Sequence, residues 1–313
     1  MTPAATSRPT LGAALVLGSC ISLSFGAAIA AQIFPVLGAW GVTALRLSVA
    51  AIVMLLVVRP AVRRWNRTQW KAAILFGVAL GGMNGSFYAA IERIPLGPAV
   101  AIEFLGPLVL SALLTRRLAD TGWLVLAVVG IVLLGVDGMV GAQDLDPVGV
   151  GFALIAAAFW AFYIRATAHA GAVIPGRGAL AVGFVVASVL LLPFGVPAAV
   201  VVATDPMLIV LTLATALLGS LIPYTLEFSA LRMVPQRVFG ILLSLEPATA
   251  TVAGWLLLGQ IASPLRLLAI AFVMAASIGV SLVGVRPRRR TDSVSGPDDG
   301  PEETPPLSEP ATP

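Results

Sequence analysis

Ten stretches of about twenty mostly apolar residues, each long enough to cross the hydrocarbon core of a bilayer as a helix, leave this chain few folds to choose from. They run over 11–31, 39–58, 71–91, 96–115, 121–140, 148–168, 179–199, 207–231, 237–258 and 264–285. In lipid a segment must satisfy its own backbone hydrogen bonds, which makes each run a helix. Gly and Pro are common in such helices and do not end them. The expected fold class is therefore an all-α polytopic membrane protein with ten transmembrane helices, five per half. A mean hydropathy of +0.99 with only 11% charged residues agrees, and 313 residues leave no room for a large soluble domain. The first run follows Arg8 and ends in Ala28-Ile29-Ala30, features of a cleaved signal peptide, but it is longer than the apolar core of one. Residues 1–10 are polar and expected to be disordered. Residues 11–140 form the first five-helix unit and 148–285 the second. The Pro-, Ser-, Asp- and Glu-rich segment 286–313 is a disordered cytoplasmic tail.

The two units repeat one plan. The stretch from Gly81 to Arg117 holds a carboxylate, Glu103, and a helix-breaking proline, Pro107, inside an otherwise apolar run. Tyr224 to Gln260 follows it: Ala90 recurs as Ala230, Pro95 as Pro235, and Pro107 as Pro247, each 140 residues on. One undeviating offset across a helix pair points to duplication. With five helices per unit, the second unit runs through the bilayer in the opposite sense, so the repeats are inverted. Paired broken helices at matching places of two halves point to a transporter binding site.

Arginine placement sets the orientation. With a cytoplasmic N-terminus, the inner loops collect Arg59, Arg63, Arg64, Arg67, Lys71, Arg116, Arg117, Arg165, Arg177, Arg232 and Arg237, with Arg286, Arg288, Arg289 and Arg290 after the last helix. The outer loops keep Arg93 and Arg266, with Asp144, Asp146 and Asp205 among the acids. The positive-inside rule then puts both termini in the cytoplasm and the loops at 141–147 and 200–206 outside. The basic residues are thus topological signals and not a nucleic-acid surface, despite a pI near 10.0.

Polar groups within the apolar runs cost a few kcal/mol each on insertion scales, so each asks for a partner or a role. Arg46, Asn84 and Glu103 come from three helices, yet each lies about 10 Å from the outer end of its own, in one layer. Tyr88 is one turn from Asn84 on the same face, and Tyr224 and Glu227 share a face of the eighth helix. Two readings of Arg46 and Glu103 stand: a structural ion pair, or a cation and an anion facing a cavity and offered to the two ends of an amino-acid zwitterion. Glu227 in turn serves as the second anion or pairs with a loop arginine. Pro107 cannot bond the carbonyl of Glu103, and Pro247 frees that of Leu243 beside Glu246, so both breaks, with Glu246, are candidates for coupling.

Several chemistries are excluded. No GxxxxGK[ST] motif exists and Lys71 is the lone lysine, so ATP is not the direct energy source. Cys20 and His169 are each single, which leaves no disulfide, metal cluster or Ser/His triad. No cofactor is implied. A membrane-embedded enzyme is the rival from another class, with only Glu103, Glu227 and Glu246 to act, on different helices. The oligomeric state has no sequence signal, since no helix carries a clear GxxxG stripe.

At these residues the sequence resembles the drug/metabolite transporter superfamily of EamA type, and within it the threonine/homoserine exporter branch. The matching stretches are Gly41–Leu47, 77–108 with its EFLGP, 222–235, and SLEPATATVAG at 244–254. The resemblance covers nearly all of 11–285. It implies a proton-linked secondary transporter of the bacterial inner membrane exporting amino acids such as threonine, homoserine or analogues; the alternative within carriers is an exporter of drugs or other metabolites. One departure is that the family's closing LGE reads Leu258-Gly259-Gln260 here, and Gln260 cannot carry a proton.

Overall fold

A computed structural model describes residues 7–115, 118–140, 145–230 and 233–283. In order these form α1 (Ser7–Leu37), α2 (Ala39–Val58), a 3₁₀ turn (Val62–Arg64), α3 (Arg67–Ile91), α4 (Leu96–Glu103), α5 (Leu105–Thr115), α6 (Leu118–Val140), α7 (Pro147–Val173) and α8 (Gly178–Val202). Then come α9 (Pro206–Ala216), a π-turn (Leu217–Leu221), α10 (Ile222–Ala230), α11 (Gln236–Leu243), α12 (Glu246–Leu258) and α13 (Pro264–Val283). No strand occurs among the described residues. Eight helical stretches there are long and apolar enough to cross a membrane: Thr10–Leu37, Ala39–Val58, Arg67–Ile91, Pro147–Val173, Gly178–Val202, Pro206–Glu227, Val238–Leu258 and Pro264–Leu282. The runs expected at 96–115 and 121–140 are helical too, but as apolar helices within the described residues they are shorter, Leu96–Ser111 and Thr121–Asp137. The expected tail at 286–313 and the basic pair Arg116-Arg117 lie outside the described residues.

Local chemistry sets the ends. α1 starts at Ser7, inside the segment expected to be disordered, and continues past Ala31 and through Pro35. A proline there costs one hydrogen bond near the helix end. The stop comes at Gly38, whose φ of 68° suits glycine and whose N–H bonds the carbonyl of Phe34 at 2.7 Å. Asp-Pro opens two helices. The carboxylates of Asp146 and Asp205 accept the N–H of Val148 and Met207 at 2.9 and 2.8 Å, with proline at the first helical position of α7 and of α9. Asn66 and Gln69 form a reciprocal capping box at the start of α3. Gln69 also donates to the carbonyl of Val173 at 2.9 Å, tying α3 to the end of α7.

Tertiary packing crosses between the halves. α3 packs on α7 and α8, while α1 packs on α10 and α9 and α2 on α9. α4 and α5 lie against α7, as α12 and α11 lie against α1. α2 meets α8, α4 meets α12, and α6 meets α13. The largest core gathers Ala28, Ile33, Val42, Ala90, Leu96, Ala101, Ala250 and Val273, small and branched side chains that let helices approach closely. Outward faces carry Ile52, Leu56, Val57, Val189, Leu192 and Val196 exposed, an apolar belt suited to lipid and not to water.

Candidate functional site

Arg46 projects from α2 into the centre and is 0% exposed. One terminal guanidinium nitrogen donates to the carbonyl of Gly219 in the π-turn, and the other to Oδ1 of Asn84 in α3. The guanidinium also stands over the ring of Tyr88, 4.4 Å from its centroid, a cation–π contact that desolvation strengthens. Asn84 donates to the carbonyl of Leu80 at 2.8 Å, and Tyr224 of α10 lies within hydrogen-bonding reach of Asn84. Arg46, Asn84, Tyr88 and Tyr224 thus meet in one polar knot where α2, α3 and the α9–α10 helix cross.

The ion pair between Arg46 and Glu103 is not formed. The ion pairs among the described residues are Arg93–Asp146 and Arg266–Asp137, and Arg46 takes neutral partners only. Glu103, at the end of α4, is 8% exposed, and Glu246, at the start of α12, is 7% exposed. The three carboxylates nevertheless act on one another through space: Glu103 with Glu246, and Glu246 with Glu227. Glu227 is partly buried and accepts from the hydroxyl of Ser19 in α1 at 2.7 Å, not from a loop arginine. Both helix breaks fall four residues before a proline, where the ring meets the backbone. α4 ends at Glu103 ahead of Pro107, and α11 ends at Leu243 ahead of Pro247.

Three features escaped the sequence reading. α1 turns a row of hydroxyls toward the second half: Ser19 to Glu227, Ser22 to the carbonyl of Leu218 at 2.8 Å, and Ser24 with Thr249 at 2.8 Å. Small hydroxyls in an apolar run read as packing residues, so nothing marked them out. Tyr163 of α7 packs on Phe76, ring centroids 5.3 Å apart, against the same core cluster as Tyr224. Gln260, with no proton to offer, accepts the N–H of Leu96 at 3.0 Å and so caps α4, the helix that carries Glu103. Among the described residues no group of His, Cys, Asp and Glu is arranged to hold a metal ion.

The sequence profile described as the EamA-like transporter family matches residues 147–282. The chain is 40% identical over 268 residues to the threonine/homoserine exporter RhtA of Escherichia coli (strain K12), covering 86% of this chain and 90% of that protein. It is 39% identical over 261 residues to the protein of the same name in Salmonella typhimurium (strain LT2), covering 83% and 88%. A solved crystal structure covers 89% of this chain and 98% of its own at a TM-score of 0.54 and 17% identity, a likeness of fold alone.

Proposed function

Because the chain belongs to the EamA-like transporter family, and is on that ground a multi-pass membrane transporter and not an enzyme, we propose that it exports threonine, homoserine or close analogues across a bacterial inner membrane by proton-linked alternating access. The two RhtA proteins it resembles carry those substrates in their name. The observation that carries the reading is a separation of charge. One buried guanidinium has only neutral partners, and Glu246 lies within electrostatic range of both Glu103 and Glu227, none of the three in an ion pair among the described residues. A zwitterion answers both: its carboxylate goes to Arg46 and its ammonium to Glu103 or Glu227, with Asn84, Tyr88 and Tyr224 completing the wall. A proton then takes the place of the ammonium on the carboxyl that releases it, which links efflux to proton entry.

The full span count belongs to the same proposal. Leu96–Thr115 and Leu118–Val140 add to the eight long spans to make ten, five per half, with both termini cytoplasmic. Exchanging the halves maps α3 on α7 to the α9–α10 helix on α1, and α5 on α7 to α12 on α1, which supports an inverted repeat. The breaks before Pro107 and Pro247 then sit at matched places, beside Glu103 and Glu246, as hinges for two outlets. The test is efflux from cells loaded with threonine, homoserine, and a panel of toxic analogues and unrelated drugs. Threonine or homoserine should leave faster when the protein is present and more slowly when the proton gradient is collapsed. Efflux of the drugs alone would replace this reading with that of a drug exporter.

A further inference from the structure

The contact between Arg46 and the π-turn is an odd one for a resting protein to keep. A π-turn inserts one residue into a helix and tends to occur at functional sites, and here it presents the Gly219 carbonyl directly to a guanidinium nitrogen. The crossing depends on glycine. A Cβ on Gly26 of α1 would lie 2.8 Å from Cα of Gly219, and a Cβ on Gly219 would lie 3.0 Å from Nη1 of Arg46 and 3.4 Å from the Tyr88 hydroxyl. Arg46 and Tyr88 therefore converge on one point beside the turn. Both keep a buried donor with no partner among the described residues, Nε of Arg46 and the Tyr88 hydroxyl. A buried donor left unmade costs about 1–3 kcal/mol, and two at one spot, on side chains 0% and 1% exposed, mark a place shaped for an acceptor that arrives later.

We infer that the Gly219 carbonyl is an internal stand-in for a carboxylate oxygen of the transported solute. A carboxylate brought to Arg46 displaces it, bonds the guanidinium and takes the donor of Tyr88. The π-turn, freed from α2, then shifts with α10, which carries Tyr224 and Glu227. Binding at the cationic end is in this way tied to the position of the acidic end, and a solute without a carboxylate leaves the turn in place. This rests on the proposed amino-acid site but says more, since it names the carboxylate as the trigger and Gly219 and Tyr88 as the residues that read it.

Two substitutions separate the inference from a structural role. Tyr88→Phe removes a hydroxyl that bonds nothing among the described residues, so packing alone predicts unchanged or improved stability. The inference predicts roughly a tenfold or greater loss of affinity for carboxylates, the worth of a hydrogen bond to a charged group. Gly219→Ala places a methyl 3.0 Å from Nη1 of Arg46, where the carboxylate arrives, and should weaken the same ligands when affinity is measured per folded protein. The movement is read from the protein in nanodiscs, with Cys20→Ser and spin labels at Leu56→Cys on α2 and Thr225→Cys on α10. The probes are threonine, 3-hydroxybutyrate (the carboxylate without the ammonium) and threoninamide (the reverse). Threonine and 3-hydroxybutyrate should change the interspin distance, and threoninamide should not. A shift by threoninamide equal to that by threonine, or full carboxylate affinity in Tyr88→Phe, overturns the inference. An unmoved distance with threonine in a protein that exports threonine overturns it and leaves the export reading standing. A shift with 3-hydroxybutyrate in a protein that does not export threonine does the opposite.

Discussion

Glu103 is buried at the end of a broken helix and forms no ion pair among the described residues. If it holds the substrate ammonium and then a proton, charge matters more than shape. Glu103→Gln should insert and fold at wild-type abundance yet lose proton-driven efflux, by about 100-fold or more for a group of this kind. Glu103→Asp should keep part of it. Since Arg46 does not lean on Glu103, the Gln variant strands no buried cation and abundance should hold. Wild-type efflux in the Gln variant, at equal abundance and with the same response to pH, would remove Glu103 from the mechanism. Asp146 is the contrasting carboxylate. It lies at the surface, where the hydrogen bond from Arg93 and that from the N–H of Val148 hold its carboxyl below the usual carboxylate range. A lowered folded value stabilises above the ordinary one and fades as pH falls through the lowered value. The melting difference between wild type and Asp146→Asn should therefore be flat from alkaline to mildly acidic pH and shrink only in strong acid. A difference that changes around neutrality would show that another group is responsible.

Elements were legible where their cause is local. A run of apolar residues makes a helix in lipid, Asp-Pro starts one at Pro147 and at Pro206, and Pro107 and Pro247 place the breaks four residues upstream. The π-turn was not legible, because Leu217-Leu218-Gly219-Ser220-Leu221 contains neither proline nor charge, and what holds it is Arg46 from 173 residues away. Gln260 read as a lost carboxylate and is instead a cap on α4. Asp137 in α6 is hidden within an apolar run, and Arg266 reads from the sequence as an outer-loop residue; the two meet at 2.7 Å with side chains 5% exposed, pinning α6 to α13. Ser263 bonds the same carboxylate, and its hydroxyl accepts the N–H of Arg266 at 3.0 Å. Removing one partner of such a buried pair costs about 3–5 kcal/mol. Asp137→Ala should therefore lower abundance and melting temperature, and the double variant Asp137→Leu, Arg266→Met should recover most of the loss. Failure of the double variant to recover would mean that the pair also serves transport.

For the whole molecule the question is which face each loop occupies, and a static packing of helices is silent on it until charge is added. Described basic residues at one end of the bundle include Arg59, Arg63, Arg64, Arg67 and Lys71, around the 3₁₀ turn and the start of α3, and Arg177 at the start of α8, with Trp65 and Trp70 in edge contact at 5.6 Å. Aromatic and cationic side chains together suit the headgroup layer, and an excess of arginine suits the cytoplasmic one. α2 and α8 each leave that end and reach the opposite face, where the α8–α9 connection carries Asp205 and no arginine. The two hinges then belong to opposite outlets only if the halves are inverted, so topology and mechanism stand or fall together. In a chain with Cys20→Ala, an impermeant thiol reagent added to intact cells should label Thr204→Cys and spare Arg64→Cys, and opening the cells should expose the latter. Labelling of Arg64→Cys from outside with Thr204→Cys protected would turn the molecule over. Uptake in place of export would then become the direction to test.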